Sequence, residues 1–148
     1  MKSLRKGIGN RKDVESYYDN WSSSYDKTLY QWEYKAPLQS VNILKKYIQI
    51  KPKFILDLAC GTGLFVDKFL QIYPDCICDG SDISRNILDI SQRNGKYRYL
   101  YKKSFENKIK IVNKYSVVSL IGAMTYCKNH QSLFKLVSHY LAKNGYFI

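Results

Sequence analysis

The sequence predicts an α/β domain with a doubly wound parallel sheet, and two stretches carry that prediction. The first is the short apolar run Phe54–Leu58, broken only by Asp57, which is typical of a buried parallel strand. It leads into a turn containing Gly61 and Gly63, after which apolar residues recur at helical spacing. The second is Cys76–Asp82, which has the composition of the next strand. A strand, a glycine turn, a helix and a second strand open such a domain, whose ligands lie at the carboxyl ends of the strands.

Length and composition indicate one domain. A chain of 148 residues with 45% apolar residues fits a single globular unit, and no apolar run approaches the about 20 residues of a membrane span. We expect residues 1–13 to be a mobile basic segment, 14–52 to form a lid and a helix, and 53–148 to form the core. The four cysteines have neither metal-site nor disulfide spacing, which indicates buried, reduced thiols in a cytoplasmic protein.

The turn after the first strand favours one class of ligand. A phosphate-binding loop would place Lys and Ser or Thr after its last glycine, but Leu64 and Phe65 follow here. A dinucleotide-binding turn would have a third glycine in place of Val66. Asp57 would repel a pyrophosphate but suits a cationic group, such as the ammonium group of an amino acid. The alternative is an ordinary turn in which Asp57 caps nearby N–H groups.

The end of the second strand adds a second carboxylate. Asp82 follows Gly63 by nineteen residues, near the spacing expected of an acid that accepts both hydroxyls of a ribose. Together with Asp57 and the glycine turn, it predicts a site for a nucleoside that carries an amino acid.

These residues also carry a family resemblance. The stretches Asp57–Gly63 and Asp79–Ser84 resemble the first two motifs of class I S-adenosylmethionine-dependent methyltransferases. The aromatic segment Tyr17–Trp21, followed by Tyr25-Asp26, is similar to the small-molecule branch of that family, which includes the Williams–Beuren-region methyltransferase-like proteins. The resemblance covers about residues 14 to 148. It implies a Rossmann-like domain with strand order 3-2-1-4-5.

The resemblance further implies methyl transfer from S-adenosylmethionine to a small-molecule acceptor. Because no apolar run approaches the length of a membrane span, we expect no membrane partner. The resemblance assigns contacts to this cofactor at Tyr17, Trp21, Tyr25, Asp57, Ala59, Gly61, Gly63, Asp82, Ile83, Ser104, Phe105 and Gly122. No catalytic residue and no metal ligand is assigned.

The aromatic segment 14–34 has two interpretations. Tyr17, Trp21 and Tyr25 recur at four-residue intervals, which places them on one face of a helix. The segment is either an amphipathic helix packed on the sheet or a lid that closes over the cofactor. Aromatic faces suit a sulfonium because they attract cations by roughly 0.5–2 kcal/mol.

The remaining elements follow from periodicity and from turn residues. They are a helix over Ala36–Ile48, a helix capped by Ser84 and ending near Gly95, a third strand over Tyr97–Tyr101, a fourth over Val117–Ile121, a helix from His130 to Ala142, and a fifth strand from Tyr146.

Three features depart from the family pattern. Ser104 stands where an Asp usually accepts from the adenine amino group, and Tyr115-Ser116 replaces an acid at the start of the fourth strand. The sequence also ends before the sixth and seventh strands of the family. We therefore expect an open edge at the fourth strand that favours self-association or a partner chain. A non-catalytic remnant that binds S-adenosylmethionine, or an interaction subunit, is the competing interpretation.

The net charge of +12 leaves a nucleic-acid substrate as a further alternative. Lysines between Lys102 and Lys114 could follow phosphates. The basic residues are nearly all Lys in a chain rich in Ile, Asn and Tyr, a composition that an AT-rich genome produces without selection for binding. We therefore favour a small molecule over RNA.

Overall fold

The computed structural model of the chain describes residues 10–148, which form a parallel sheet flanked by helices. The elements are α1 (Arg11–Trp21), α2 (Tyr25–Gln31), α3 (Ala36–Tyr47), β1 (Phe54–Leu58), α4 (Leu64–Leu70), β2 (Ile77–Asp82), α5 (Arg85–Arg93), β3 (Tyr97–Lys102), β4 (Tyr115–Ser119), α6 (His130–Tyr140) and β5 (Leu141–Phe147). The strand order is β3-β2-β1-β4-β5 and every pairing is parallel, which confirms the predicted fold class and order.

Strand β1 lies at the centre of the sheet and separates two apolar clusters. On one face Ile55 belongs to a cluster with Val41 of α3 and Phe69 of α4. On the other face Leu56 belongs to a cluster with Leu133 of α6. Successive side chains of a strand point to opposite faces, so a strand covered on both faces is apolar at nearly every position.

The aromatic segment forms two helices instead of the single predicted one. Helix α1 ends at Trp21, a 3₁₀ turn spans Ser22–Ser24, and α2 begins at Tyr25. The predicted common helical face is therefore wrong. The three serines explain the break, because serine hydroxyls bond to nearby backbone and compete with helical hydrogen bonds; the Ser22 hydroxyl donates to the Asp19 carbonyl at 2.8 Å.

The predicted mobile segment 1–13 falls largely on residues 1–9, which lie outside the described residues. From there on, Arg11–Asp13 form the first turn of α1, and the Asn10 side chain caps it by accepting the Lys12 N–H at 3.2 Å. Within residues 10–148, no helix combines the length and the apolar character needed to cross a bilayer.

The end of the chain differs from its prediction. Helix α6 stops at Tyr140, and β5 begins at Leu141 instead of Tyr146. Leu141 pairs with Tyr115, and Tyr146 pairs with Val117. Between these two pairs the chain advances by two residues on β4 but by five on β5, so the extra residues of β5 form a bulge. Such a bulge bends a strand away from regular pairing.

Strand β4 is consequently paired on both edges. Asp57 of β1 lies opposite Ser119 on one side, and on the other the Leu120 N–H donates to the Ile148 carbonyl at 2.8 Å. The expected open edge at β4 is wrong, and the argument for self-association through it no longer stands. The prediction failed because pairing begins at Leu141, which follows the helical pattern of α6 without a break.

Candidate functional site

A cleft opens at the carboxyl ends of the parallel strands, where doubly wound domains bind their ligands. Its walls come from the segments that follow β1, β2, β3 and β4, with α1 and α2 above them. Eight of the residues singled out in the sequence line this cleft: Tyr25, Ala59, Gly61, Asp82, Ile83, Ser104, Phe105 and Gly122.

The other four predicted residues lie elsewhere. Tyr17 and Trp21 pack against each other with ring centroids 5.6 Å apart and do not line the cleft. Gly63 is the N-cap of α4, with a φ of 100°. Asp57 lines a smaller neighbouring cavity of about 340 Å³. Tyr18, one residue from the predicted Tyr17, is the aromatic residue of α1 that faces the cleft.

The glycine turn presents its main chain to the cleft. Gly61 has a φ of 57°, in the left-handed region that favours glycine. A Cβ atom at Gly61 would lie 3.7 Å from the Tyr25 hydroxyl, so Tyr25 stands directly over the turn. The Gly61 N–H donates to Asp82 at 3.0 Å, which ties the turn to the end of β2.

Asp82 is an acid held by backbone donors. Its two oxygens accept the Gly61 N–H at 3.0 Å and the Ser84 N–H at 2.9 Å, and the residue is 8% exposed. Burial raises the pKa of Asp82, while these N–H donors act in the opposite direction. Each carboxylate oxygen accepts more than one hydrogen bond, so the side chain retains acceptor capacity toward the cleft.

Asp57 is fully buried beneath the turn. Its oxygens accept the Tyr97 hydroxyl at 2.8 Å and the Ser119 hydroxyl at 2.7 Å. The alternative in which Asp57 caps N–H groups of the turn is wrong, since both donors are hydroxyls from other strands. Burial raises the pKa of Asp57 to about 7, and the nearby Asp82 adds to this effect, against the two hydrogen bonds.

Two acids that were not predicted as site residues hold the N-terminal helices in place over the cleft. Asp19 of α1 accepts the Ser84 hydroxyl and, at 3.1 Å, the Asn86 N–H at the start of α5. Asp26 of α2 accepts the Thr62 hydroxyl of the glycine turn at 2.6 Å. The Tyr-Asp pairs that carry the family resemblance contain both acids, which was the available indication of their role.

The outer rim of the cleft is held by an ion pair. Arg11 of α1 contacts Glu106 at 3.2 Å, and Glu106 also accepts the Lys128 N–H at 2.7 Å. Burial acts to raise the pKa of Glu106, but these donors outweigh it and hold the pKa below its ordinary value. The pair links α1 to the segment after β3. Deeper in the cleft, the hydroxyls of Tyr18 and Tyr126 lie 3.2 Å apart.

Comparison with known proteins identifies this arrangement. Residues 56–147, more than half of the chain, match a family model described as a methyltransferase domain. The chain belongs to this methyltransferase family. Methyltransferase-like protein 27 of Homo sapiens is 34% identical to it over 101 residues, which cover 64% of this chain and 39% of that protein.

Solved structures share the fold of this methyltransferase domain. An S-adenosylmethionine-dependent methyltransferase from Clostridium acetobutylicum has a TM-score of 0.67 at 22% identity, covering 88% of this chain and 55% of that one. The plantazolicin methyltransferase BamL, in complex with a triazolic desmethylPZN analog and SAH, has a TM-score of 0.68 at 16% identity, covering 93% and 55%. The chain thus spans between 39% and 55% of the length of these three proteins.

Proposed function

We propose that this methyltransferase domain binds S-adenosylmethionine in the cleft and transfers its methyl group to a small-molecule acceptor. The observation that carries the proposal is the meeting of Asp82 and the exposed main chain of Gly61 in one cleft. The family match supports it, as does the S-adenosylhomocysteine (SAH) in the BamL complex. The buried, free cysteines support a cytoplasmic location.

The residues around the cleft fit the parts of this cofactor. Asp82 supplies charged acceptors for ribose hydroxyls, and Ile83 and Phe105 supply apolar surface for adenine. The Ser104 hydroxyl replaces the usual acid at the adenine edge, and such a neutral hydrogen bond contributes about 0.5–1.5 kcal/mol. Asp57 and the glycine turn are suited to the amino-acid end. We assign the aromatic contact from α1 to Tyr18.

When bound, the cofactor supplies an electrophilic methyl group. The chain's own contribution is to position the two reactants in line, which needs no protein nucleophile. Burial raises the pKa of Tyr18 well above its ordinary value, so its hydroxyl stays protonated beside Tyr126. These two hydroxyls are placed to orient a polar acceptor by hydrogen bonds.

Calorimetry with S-adenosylmethionine, SAH and NAD tests the proposal. We expect saturable binding of the first two and none of NAD, because the turn lacks the third glycine of a dinucleotide site. Radiolabelled methyl transfer into a cell extract then tests turnover without assuming an acceptor. Tighter binding of NAD than of SAH would contradict the proposal, and SAH binding without any methyl transfer would favour the non-catalytic interpretation.

The two N-terminal helices are expected to respond to the cofactor as a lid. Trp21 packs on Tyr25 with centroids 4.8 Å apart, and Tyr25 stands over Gly61. SAH is therefore expected to reduce Trp21 fluorescence and to slow proteolysis within residues 14–34. A Trp32→Phe variant removes the only other tryptophan signal. Equal cleavage with and without SAH would show that α1 and α2 are a fixed part of the core.

A further inference from the structure

Tyr97 occupies an unusual position for a residue of the edge strand β3. In the sheet register it lies opposite Cys78, yet its hydroxyl donates to Asp57 in β1, one strand further in. A Cβ atom at Gly80 would lie 2.9 Å from Cε1 of the Tyr97 ring. The missing side chain at Gly80 is therefore what allows the ring to cross β2.

The same ring also touches the glycine turn. A Cβ atom at Gly63 would lie 3.3 Å from Cε2 of Tyr97 and 3.7 Å from its hydroxyl oxygen. The ring thus fills the space between the turn and the carboxylate of Asp57. Tyr97 links both parts of the proposed site for the amino-acid end of the cofactor.

Among residues 10–148, no cationic side chain faces Asp57. The titratable groups that face it are Asp82, Cys60, Cys78 and Tyr97 and, across the small cavity, Tyr25 and Tyr34. None of them carries a positive charge, and Asp82 is a second acid. The ionised form of Asp57 therefore depends on its two hydroxyl donors, Tyr97 and Ser119, and on any cation that enters the cavity.

We propose that Tyr97 is a positioning residue for cofactor binding: its hydroxyl keeps the Asp57 carboxylate ionised and oriented toward the small cavity, where it pairs with the ammonium group of the cofactor. This inference rests on the proposed function. Because a cationic ligand favours ionised Asp57, binding is tighter above the pKa of Asp57 and weaker below it. That pKa is about 7, so affinity rises as the pH rises through this value.

Removing the Tyr97 hydroxyl takes away a hydrogen-bond donor to the charged form of Asp57. The rise of cofactor affinity with pH therefore moves to higher pH. Loss of a hydrogen bond to an ionised group corresponds to a shift of about one to two pH units. We therefore expect Tyr97→Phe to bind SAH about tenfold more weakly at pH 7. The same direction is expected for Ser119→Ala, which removes the other donor.

The test is calorimetric titration with SAH from pH 5.5 to 7.5, a range in which the ammonium group of the ligand stays protonated. SAH lacks the sulfonium charge, so its ammonium group is the cation that is measured. Tyr99→Phe is the matched control, because Tyr99 lies two residues further along β3 and stacks on Arg98 at 4.9 Å. Asp57→Asn should bind weakly and without pH dependence in this range.

An upward shift in Tyr97→Phe and Ser119→Ala, with none in Tyr99→Phe, supports the proposal. Thermal melts identify a variant that fails to fold, and Ser119→Ala carries the test if Tyr97→Phe is unstable. If Tyr97→Phe folds and its profile of SAH affinity against pH superimposes on that of the wild type, the inference is overturned and the proposed function still stands. If Tyr97→Phe does not fold, the profile of Ser119→Ala decides in the same way. A wild-type chain that binds no SAH at any of these pH values overturns the proposed function itself.

Discussion

Replacement of Asp79 by alanine is expected to lower the free energy of unfolding by about 3 kcal/mol. Asp79 is fully buried in β2, and its carboxylate accepts two hydrogen bonds from the Arg98 guanidinium, at 3.1 and 2.7 Å. It also accepts the buried Tyr115 hydroxyl at 2.8 Å. The substitution leaves these donors without their acceptor. The side chain of Arg98 is 29% exposed, which places the effect at the lower end of the range for buried pairs.

Urea unfolding measures this change, and Asp75→Ala is the matched control. Asp75 pairs with Lys51, but their side chains are 75% and 61% exposed. Loss of this ion pair should therefore change the free energy of unfolding by no more than about 0.5 kcal/mol. Equal unfolding midpoints for the two variants would contradict the structural role of Asp79. If Asp79→Ala lowers the free energy of unfolding but leaves its slope against urea concentration unchanged, the loss of stability arises in the native state.

Replacement of Asp82 by alanine is expected to weaken SAH binding by about 1.5–3 kcal/mol, which is roughly a ten- to hundredfold change in affinity. The variant loses the charged acceptor that we propose for the ribose. It also frees the Gly61 and Ser84 N–H groups, so the glycine turn loses its tie to β2. Both effects act in the same direction.

Calorimetry on Asp82→Ala, Asp82→Asn and Asp89→Ala separates these contributions. Asn keeps an oxygen acceptor and should bind better than Ala if part of the loss comes from the freed turn. Asp89 lies on α5 and does not line the cleft, so its variant should bind SAH like the wild type. Unchanged affinity in Asp82→Ala would rule out the ribose role of this carboxylate.

The sheet could be predicted from the sequence because its indications are local. The apolar run Phe54–Leu58, the glycine turn and the Ser84 cap each depend on a few neighbouring residues, and the strand order came from the family resemblance. The Ser84 side chain accepts the Ile87 N–H at 3.1 Å, as a cap should. The start of β5 could not be predicted, because only pairing with Tyr115 distinguishes Leu141 from the end of α6.

The positions of side chains in the site could be predicted less well from the sequence. A four-residue interval singles out Tyr17, whereas the docking of α1 turns the adjacent Tyr18 toward the cleft. Helical periodicity fixes which residues share a face, but not which face meets the sheet. The contact of Tyr97 with Asp57 across β2 joins residues 40 apart, and no local pattern reports such a contact.

The central place of β1 has a consequence for synthesis of the chain. Its first partner, β2, follows within a few tens of residues, but Asp57 meets Ser119 of β4 only 62 residues later. At about 5–20 residues per second, the ribosome needs about 3–12 seconds to make that interval. During this time one edge of an apolar strand has no partner. The nascent chain is therefore most open to aggregation, and to capture by chaperones, just before β4 emerges.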